Sequence, residues 1–277
     1  MKIVMTDQDG VVLDVNYQAT LDECGFQRCR ELSEELTLVP NSDTPVARLL
    51  NNFRNALGLQ LTAAIGEKGA VIRWGTVCRH LMSIPNSILN DYCYKLAELF
   101  RKLEARGHCL VAIGDTATWI REGQTFEPKR RLFLLDNLRE QTVGCYLRVS
   151  DAKGLAQINN DLFAEGSEMI RGLPLPTGLV AEDFNARYGI IIMNASGCSK
   201  TKGYQTLRQI LETGYPDHEP LSFFMIGDGD SDIIQDPRVI HCAVGNATAA
   251  IKQTASFISE QPHTKGFLDC LAWIAQQ

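Results

Sequence analysis

The chain has 277 residues, of which 45% are hydrophobic and 22% charged, a soluble globular balance with room for one large domain and an insertion. Its net charge of -6 argues against nucleic acid or an anionic membrane as the main partner, and no apolar run is long enough to span a bilayer. The nine cysteines are scattered without a Cys-x-x-Cys pair, so reduced thiols are expected rather than disulfides or a zinc site. No charged, apolar and small-residue series resembling a signal peptide opens the chain, and the expected location is the cytoplasm.

Lys2-Ile3-Val4-Met5-Thr6 reads as a buried strand that delivers Asp7-Gln8-Asp9-Gly10 at its end. In an extended chain, the side chains of Asp7 and Asp9 point to the same side, and Gly10 permits a sharp turn. Two close carboxylates repel each other, so a proton or a cation is needed between them. From Val11 through about Leu36 the pattern reads as apolar, then helical. Leu36–Val39 is a second strand, ending at Pro40-Asn41-Ser42-Asp43. Thr44-Pro45 predicts an N-cap and a first-turn proline for a helix with Val46, Leu49, Leu50, Phe53 and Leu57 on one face, closed by Gly58. Ala63–Gly66 and Ala70–Ile72 read as a strand and hairpin arm around Glu67-Lys68-Gly69.

Composition then changes. A long amphipathic helix is expected from Pro85 to Gly107, with Leu89, Tyr92, Cys93, Leu96, Leu99 and Leu103 inward. Strands follow at Cys109–Ile113, Gly144–Val149 and Gly189–Met193, with a helix near Lys153–Phe163, whereas residues 115–135 show no clear pattern. Residues 85–195 contain no acidic strand-end loop and read as an inserted α+β domain. Arg171, Glu182 and Arg187 are its polar candidates for meeting a ligand, but surface salt bridges explain them better.

Regular alternation resumes with Gly197-Cys198-Ser199-Lys200-Thr201-Lys202-Gly203, which leads into a helix to about Leu211. Leu221–Ile226 is another buried strand, and it ends in Gly227-Asp228-Gly229-Asp230-Ser231-Asp232. Two apolar strands that each end in an acidic, glycine-bearing loop suit an oxygen-ligand Mg2+ site at a sheet edge. Val239–Val244 is a further strand, followed by Gly245-Asn246-Ala247 and a helix to about Thr254. A last strand at Ser256–Ile258 precedes a helix carrying Phe267, Leu268, Leu271 and Ile274.

This order of motifs resembles the haloacid dehalogenase superfamily of phosphohydrolases, and in detail its Cof-type branch, with a large cap inserted after the third core strand. Asp7-x-Asp9-Gly10-Val11 matches the first motif and Gly227–Asp232 the fourth. Val244-Gly245-Asn246-Ala247 matches the stretch after it, and Gly69-Ala70-Val71-Ile72 resembles a branch signature with Lys68 in place of Asn. The resemblance implies an α/β fold: a Rossmann-like core with a mostly parallel sheet, formed by residues 1–84 and 196–277, and an α+β cap at 85–195 that sets substrate specificity. It implies Asp7 as nucleophile and Asp9 as general acid and base. Mg2+ would be held by Asp7, the Asp9 carbonyl, Asp228 and Asp232, leaving Asp230 solvated. Asn41 or Ser42 would hold a phosphoryl oxygen where relatives have Ser or Thr. Lys200 and Lys202 both fit the third-motif lysine, with the helical register of Tyr204, Leu207 and Leu211 favouring Lys200. The implied activity is Mg2+-dependent hydrolysis of a small phosphorylated metabolite, a sugar or glycosyl phosphate. A sugar phosphomutase and a non-catalytic metabolite-binding protein are the alternatives.

Overall fold

The computed structural model describes residues 1–14, 17–104, 109–186, 188–214 and 220–277, without the side chains at 103, 104, 182 and 183. Contacts divide the chain into two units, Met1–Leu81 with Cys198–Gln277, and Met82–Gly197. The first unit begins with β1 (Lys2–Thr6), α1 (Glu23–Glu35), β2 (Thr37–Pro40), α2 (Val46–Leu57), β3 (Ala63–Gly66), β4 (Val71–Trp74) and β5 (Val77–His80). The second unit holds α3 (Asn86–Glu104), β6 (Cys109–Gly114), α4 (Thr116–Arg121), β7 (Arg131–Asp136), β8 (Val143–Ser150), β9 (Ala156–Ile158), α5 (Asn160–Arg171), β10 (Leu179–Asn185) and β11 (Ile190–Ala195). The first unit then resumes with α6 (Lys200–Gly214), β12 (Ser222–Gly227), β13 (Val239–Ala243), α7 (Ala249–Thr254), β14 (Phe257–Ile258) and α8 (His263–Ala275).

The first unit is built on a parallel five-stranded sheet in the order β14-β13-β12-β1-β2. Its central strands are apolar throughout because both faces are covered. Ile3, Met5, Phe223 and Met225 pack with Tyr204, Leu207 and Leu211 of α6. Val4 and Phe224, one residue out of phase, are buried on the opposite face. There α8 packs on β12, β13 and β14, with Phe267, Leu271 and Ile274 buried. The antiparallel sheet β3-β4-β5 adjoins β2 through a single parallel bridge from Asn41 to Ile65. Successive connections leave β1 toward β2 on one side, while β12, β13 and β14 build the other. The order in which strands are added therefore reverses between β1 and β12, where open α/β sheets form a crevice beyond their C-terminal strand ends.

Several local expectations are corrected. The first helix begins only at Glu23, because Asp22 caps it by accepting from the Gly25 N–H at 2.8 Å. The preceding Val11–Leu13 segment folds back instead, with Val12 and Leu13 N–H groups donating to the Gln8 carbonyl. Pro45, not Thr44, is the N-cap of α2, because the Thr44 carbonyl is taken by the Glu67 N–H. Gly58 closes α2 in a left-handed conformation, as its position predicts. A third strand, β5, extends the expected hairpin.

The second unit is a mixed sheet in the order β10-β11-β8-β7-β6, with β9 pairing on β8. Only β6 and β7 run parallel, joined through α4. α3 packs on β6 and β7, stacking Phe100 on Phe133 with ring centroids 4.2 Å apart, and α5 packs on β8. Here too the expectations shift. Residues 115–135 supply α4 and the start of β7, and the helix expected at 153–163 begins at Asn160, where the Asn159 side chain accepts from the Leu162 N–H. Arg171 lies over the Phe184 ring at 4.3 Å, while Arg187 and the Glu182 side chain lie outside the described residues. Among the described residues, no helix is long and apolar enough to cross a membrane.

Candidate active site

The loops after β2, β1, β12 and β13 meet at one edge of the first unit's sheet. Parallel pairing brings Thr6 beside Ile226 and Pro40, and the ladder continues one step as the Asp7 N–H donates to Ile226 and the Asn41 N–H to Thr6. Asp7, Asn41 and Asp228 therefore emerge together, although they come from distant parts of the sequence.

Lys200, at the first position of α6, joins these loops. Its buried ammonium donates to Asp7 Oδ2 at 2.8 Å and to Asp232 Oδ1 at 2.6 Å. The other oxygen of Asp7 accepts from the Gln8 N–H at 2.7 Å. The other oxygen of Asp232 accepts from the N–H groups of Asp228 and Gly229 at 2.9 and 3.0 Å, which orders the whole acidic loop. Lys202 is exposed. Burial raises the Asp7 carboxyl well above the usual carboxylate range; Lys200 pulls it down, and Asp232 and Asp9 push it up. Burial opposes the charge on Lys200, but the carboxylates of Asp232, Asp7 and Asp43 outweigh it and hold its pKa above the ordinary lysine value.

Two glycines make the packing possible. Gly10 has φ of 84°, and a Cβ there would lie 2.1 Å from Asp228 Oδ2. A Cβ at Gly227 would lie 2.3 Å from that of Asp232. The Gly10 carbonyl is fixed by the Asn246 side-chain amide at 2.9 Å and by His263 Nδ1 at 3.0 Å. Thr248 reaches the acidic loop from the same side: its N–H donates to the Asp228 carbonyl and its hydroxyl to Asp230. Asp230 is exposed.

One carboxylate oxygen from each of Asp7, Asp228 and Asp232 lies within 4.8 Å of the other two. Three carboxyl groups meet there beside the Lys200 ammonium, an acidic cluster that suits a cation. All the donors are hard oxygens, which suits Mg2+ chemistry. Asn41 is fully buried, and neither its side-chain oxygen nor its nitrogen has a hydrogen-bond partner. A buried amide without a partner is costly and is fitted to receive a polar ligand group. Ser42 is also buried, and its hydroxyl accepts from the Thr44 N–H at 3.4 Å.

Sequence reasoning passed over Gln8, Asn52, Asn246, Thr248 and His263. Asn246 lay in a stretch already singled out. Asn52 carried a subtler signal: a polar residue inside the apolar stripe of α2, three residues after Leu49 and next to Phe53, and buried with them.

No protein-family model matches the sequence, and no curated protein matches it. Solved structures do resemble the chain. A Thermotoga maritima protein superposes with a TM-score of 0.60 at 13% identity, covering 98% of this chain and 96% of its own. A haloacid dehalogenase-like hydrolase from Bacteroides thetaiotaomicron gives 0.58 at 15%, covering 99% of both chains. A sugar phosphatase of subclass IIB of the same superfamily gives 0.55 at 14%, covering 99% of this chain and 98% of its own. The chain therefore has the fold of the haloacid dehalogenase-like hydrolases.

Proposed function

We propose that this protein is a Mg2+-dependent phosphomonoesterase of the haloacid dehalogenase superfamily, acting on a small phosphorylated metabolite. The observation that carries the reading is the Lys200 ammonium shared between Asp7 and Asp232, at the sheet crevice where Asp228 and the partnerless Asn41 amide converge. A binding module has no need of a carboxylate held ready by a buried lysine, with a second aspartate two residues on.

In this reading an Asp7 oxygen attacks phosphorus and the bond from phosphorus to the ester oxygen breaks, giving an aspartyl-phosphate. Protonated Asp9 gives its proton to the leaving alkoxide. As a carboxylate it then takes a proton from water, which attacks phosphorus, frees Asp7 and releases phosphate. The Asn41 amide donates to a phosphoryl oxygen, and Lys200 offsets the charge of Asp7 and Asp232. When bound by Asp7, Asp228, Asp232 and the Asp9 carbonyl, Mg2+ would supply charge neutralisation between carboxylate and phosphoryl group. The resemblance in fold to a sugar phosphatase supports a sugar or glycosyl phosphate as substrate, and the reading places the enzyme in the cytoplasm.

Phosphate release from a panel of phosphorylated sugars and nucleotides tests this. Release should occur without a bisphosphate activator, stop in EDTA and return with Mg2+. Full activity in EDTA, or no release from any member, would contradict the reading.

A further inference from the structure

We propose that Gln8 and Asn52 form a relay that positions Asp9, an inference that rests on the phosphatase reading. Gln8 stands between the two aspartates and touches both. Its backbone N–H donates to Asp7 Oδ1 at 2.7 Å, and its side-chain Nε2 donates to Asp9 Oδ1 at 3.1 Å. Its Oε1 accepts from Asn52 Nδ2, on α2, at 2.8 Å. Gln8 is 2% exposed and Asn52 6%.

An amide has one donor end and one acceptor end. With Asn52 donating, the Gln8 oxygen must face α2 and its NH2 must face Asp9. The reverse orientation sets the NH2 of Gln8 against the NH2 of Asn52. Asn52 therefore favours the orientation in which the NH2 of Gln8 meets Asp9. Besides Asn52, α2 buries Val46, Arg48, Leu49, Phe53 and Leu57, and four of these five are apolar. Burying two amides is tolerable only while both are bonded. The pair holds the Asp9 carboxyl in one orientation toward the leaving group, and both residues are positioning residues.

The test compares kcat and KM of wild type, Gln8→Leu, Asn52→Leu and the double variant on two aryl esters. One is p-nitrophenyl phosphate, whose leaving group needs little protonation; the other is phenyl phosphate, whose leaving group needs more. A loosened acid should cost roughly 10- to 100-fold in kcat/KM on phenyl phosphate, as for a misplaced catalytic group, because kcat/KM reports the steps through leaving-group departure and not the aspartyl-phosphate hydrolysis common to both esters. The loss on p-nitrophenyl phosphate should be smaller. Because Asn52 acts through Gln8, the double variant should match Gln8→Leu rather than multiply the two losses. If Asn52→Leu does not fold, as shown by thermal unfolding, Gln8→Leu carries the same leaving-group comparison. Equal losses in kcat/KM on both esters, or none, in an active protein would overturn the relay alone. A wild type that hydrolyses neither ester would overturn the phosphatase reading and the relay's purpose with it.

Discussion

Each oxygen of Asp7 has a different donor: the Gln8 N–H on Oδ1 and the Lys200 ammonium on Oδ2. A carboxylate held this way cannot rotate freely, which is what in-line attack on phosphorus demands. Lys200 and Lys202 are two residues apart, and a helix turns side chains at that spacing to different faces. Lys200 is buried against two carboxylates, whereas Lys202 is exposed. Lys200→Ala should therefore lower kcat/KM by about 10²-fold or more, as for loss of a preorganised charge contact. It should also lower the melting temperature, because Asp7 and Asp232 lose their buried counter-charge. Lys202→Ala should leave both close to wild type. The reverse ranking would contradict the assignment of Lys200.

Among the elements, the turn between β3 and β4 supports the site most directly. Glu67, Lys68 and Gly69 all have left-handed backbone, with φ of 52°, 58° and 88°. Only glycine adopts this conformation without cost, and asparagine tolerates it better than lysine. The turn lies against the start of α6: a Cβ at Gly69 would fall 2.1 Å from the Ser199 carbonyl oxygen. Lys68→Asn should stabilise the protein by about 0.5–1 kcal/mol, the scale of left-handed strain. Gly69→Ala should destabilise it and, by pushing on the first turn of α6, disturb Lys200. Urea unfolding measures both, and an unchanged midpoint for Gly69→Ala would contradict the packing. The sequence shows this turn as Glu67-Lys68-Gly69 between a strand and a hairpin arm, but not its left-handed run, because nothing local marks Glu67 as strained.

At the scale of the whole molecule, the elements of the first unit could be read from sequence because parallel strands buried on both faces form unbroken apolar runs. Asp7 and Asp228 stood out as carboxylates at the ends of such runs. The second unit was harder to read. β7 follows a polar stretch and β10 a Pro-rich loop, and antiparallel strands of this kind show weaker patterns that depend on their neighbours. Contacts such as Asn52 to Gln8 span 44 positions and have no local signature. The family resemblance implies a division of labour between two aspartates, and the proposed function takes this as its central claim. Intact-protein mass spectrometry after brief incubation with p-nitrophenyl phosphate and an acid quench tests it directly. Asp9→Asn keeps the nucleophile but loses the base that activates water, so it should accumulate roughly 80 Da per chain as an aspartyl-phosphate on Asp7. Wild type should show less, and Asp7→Asn none. A labelled Asp7→Asn protein, or phosphate mapped to any other residue, would contradict the account.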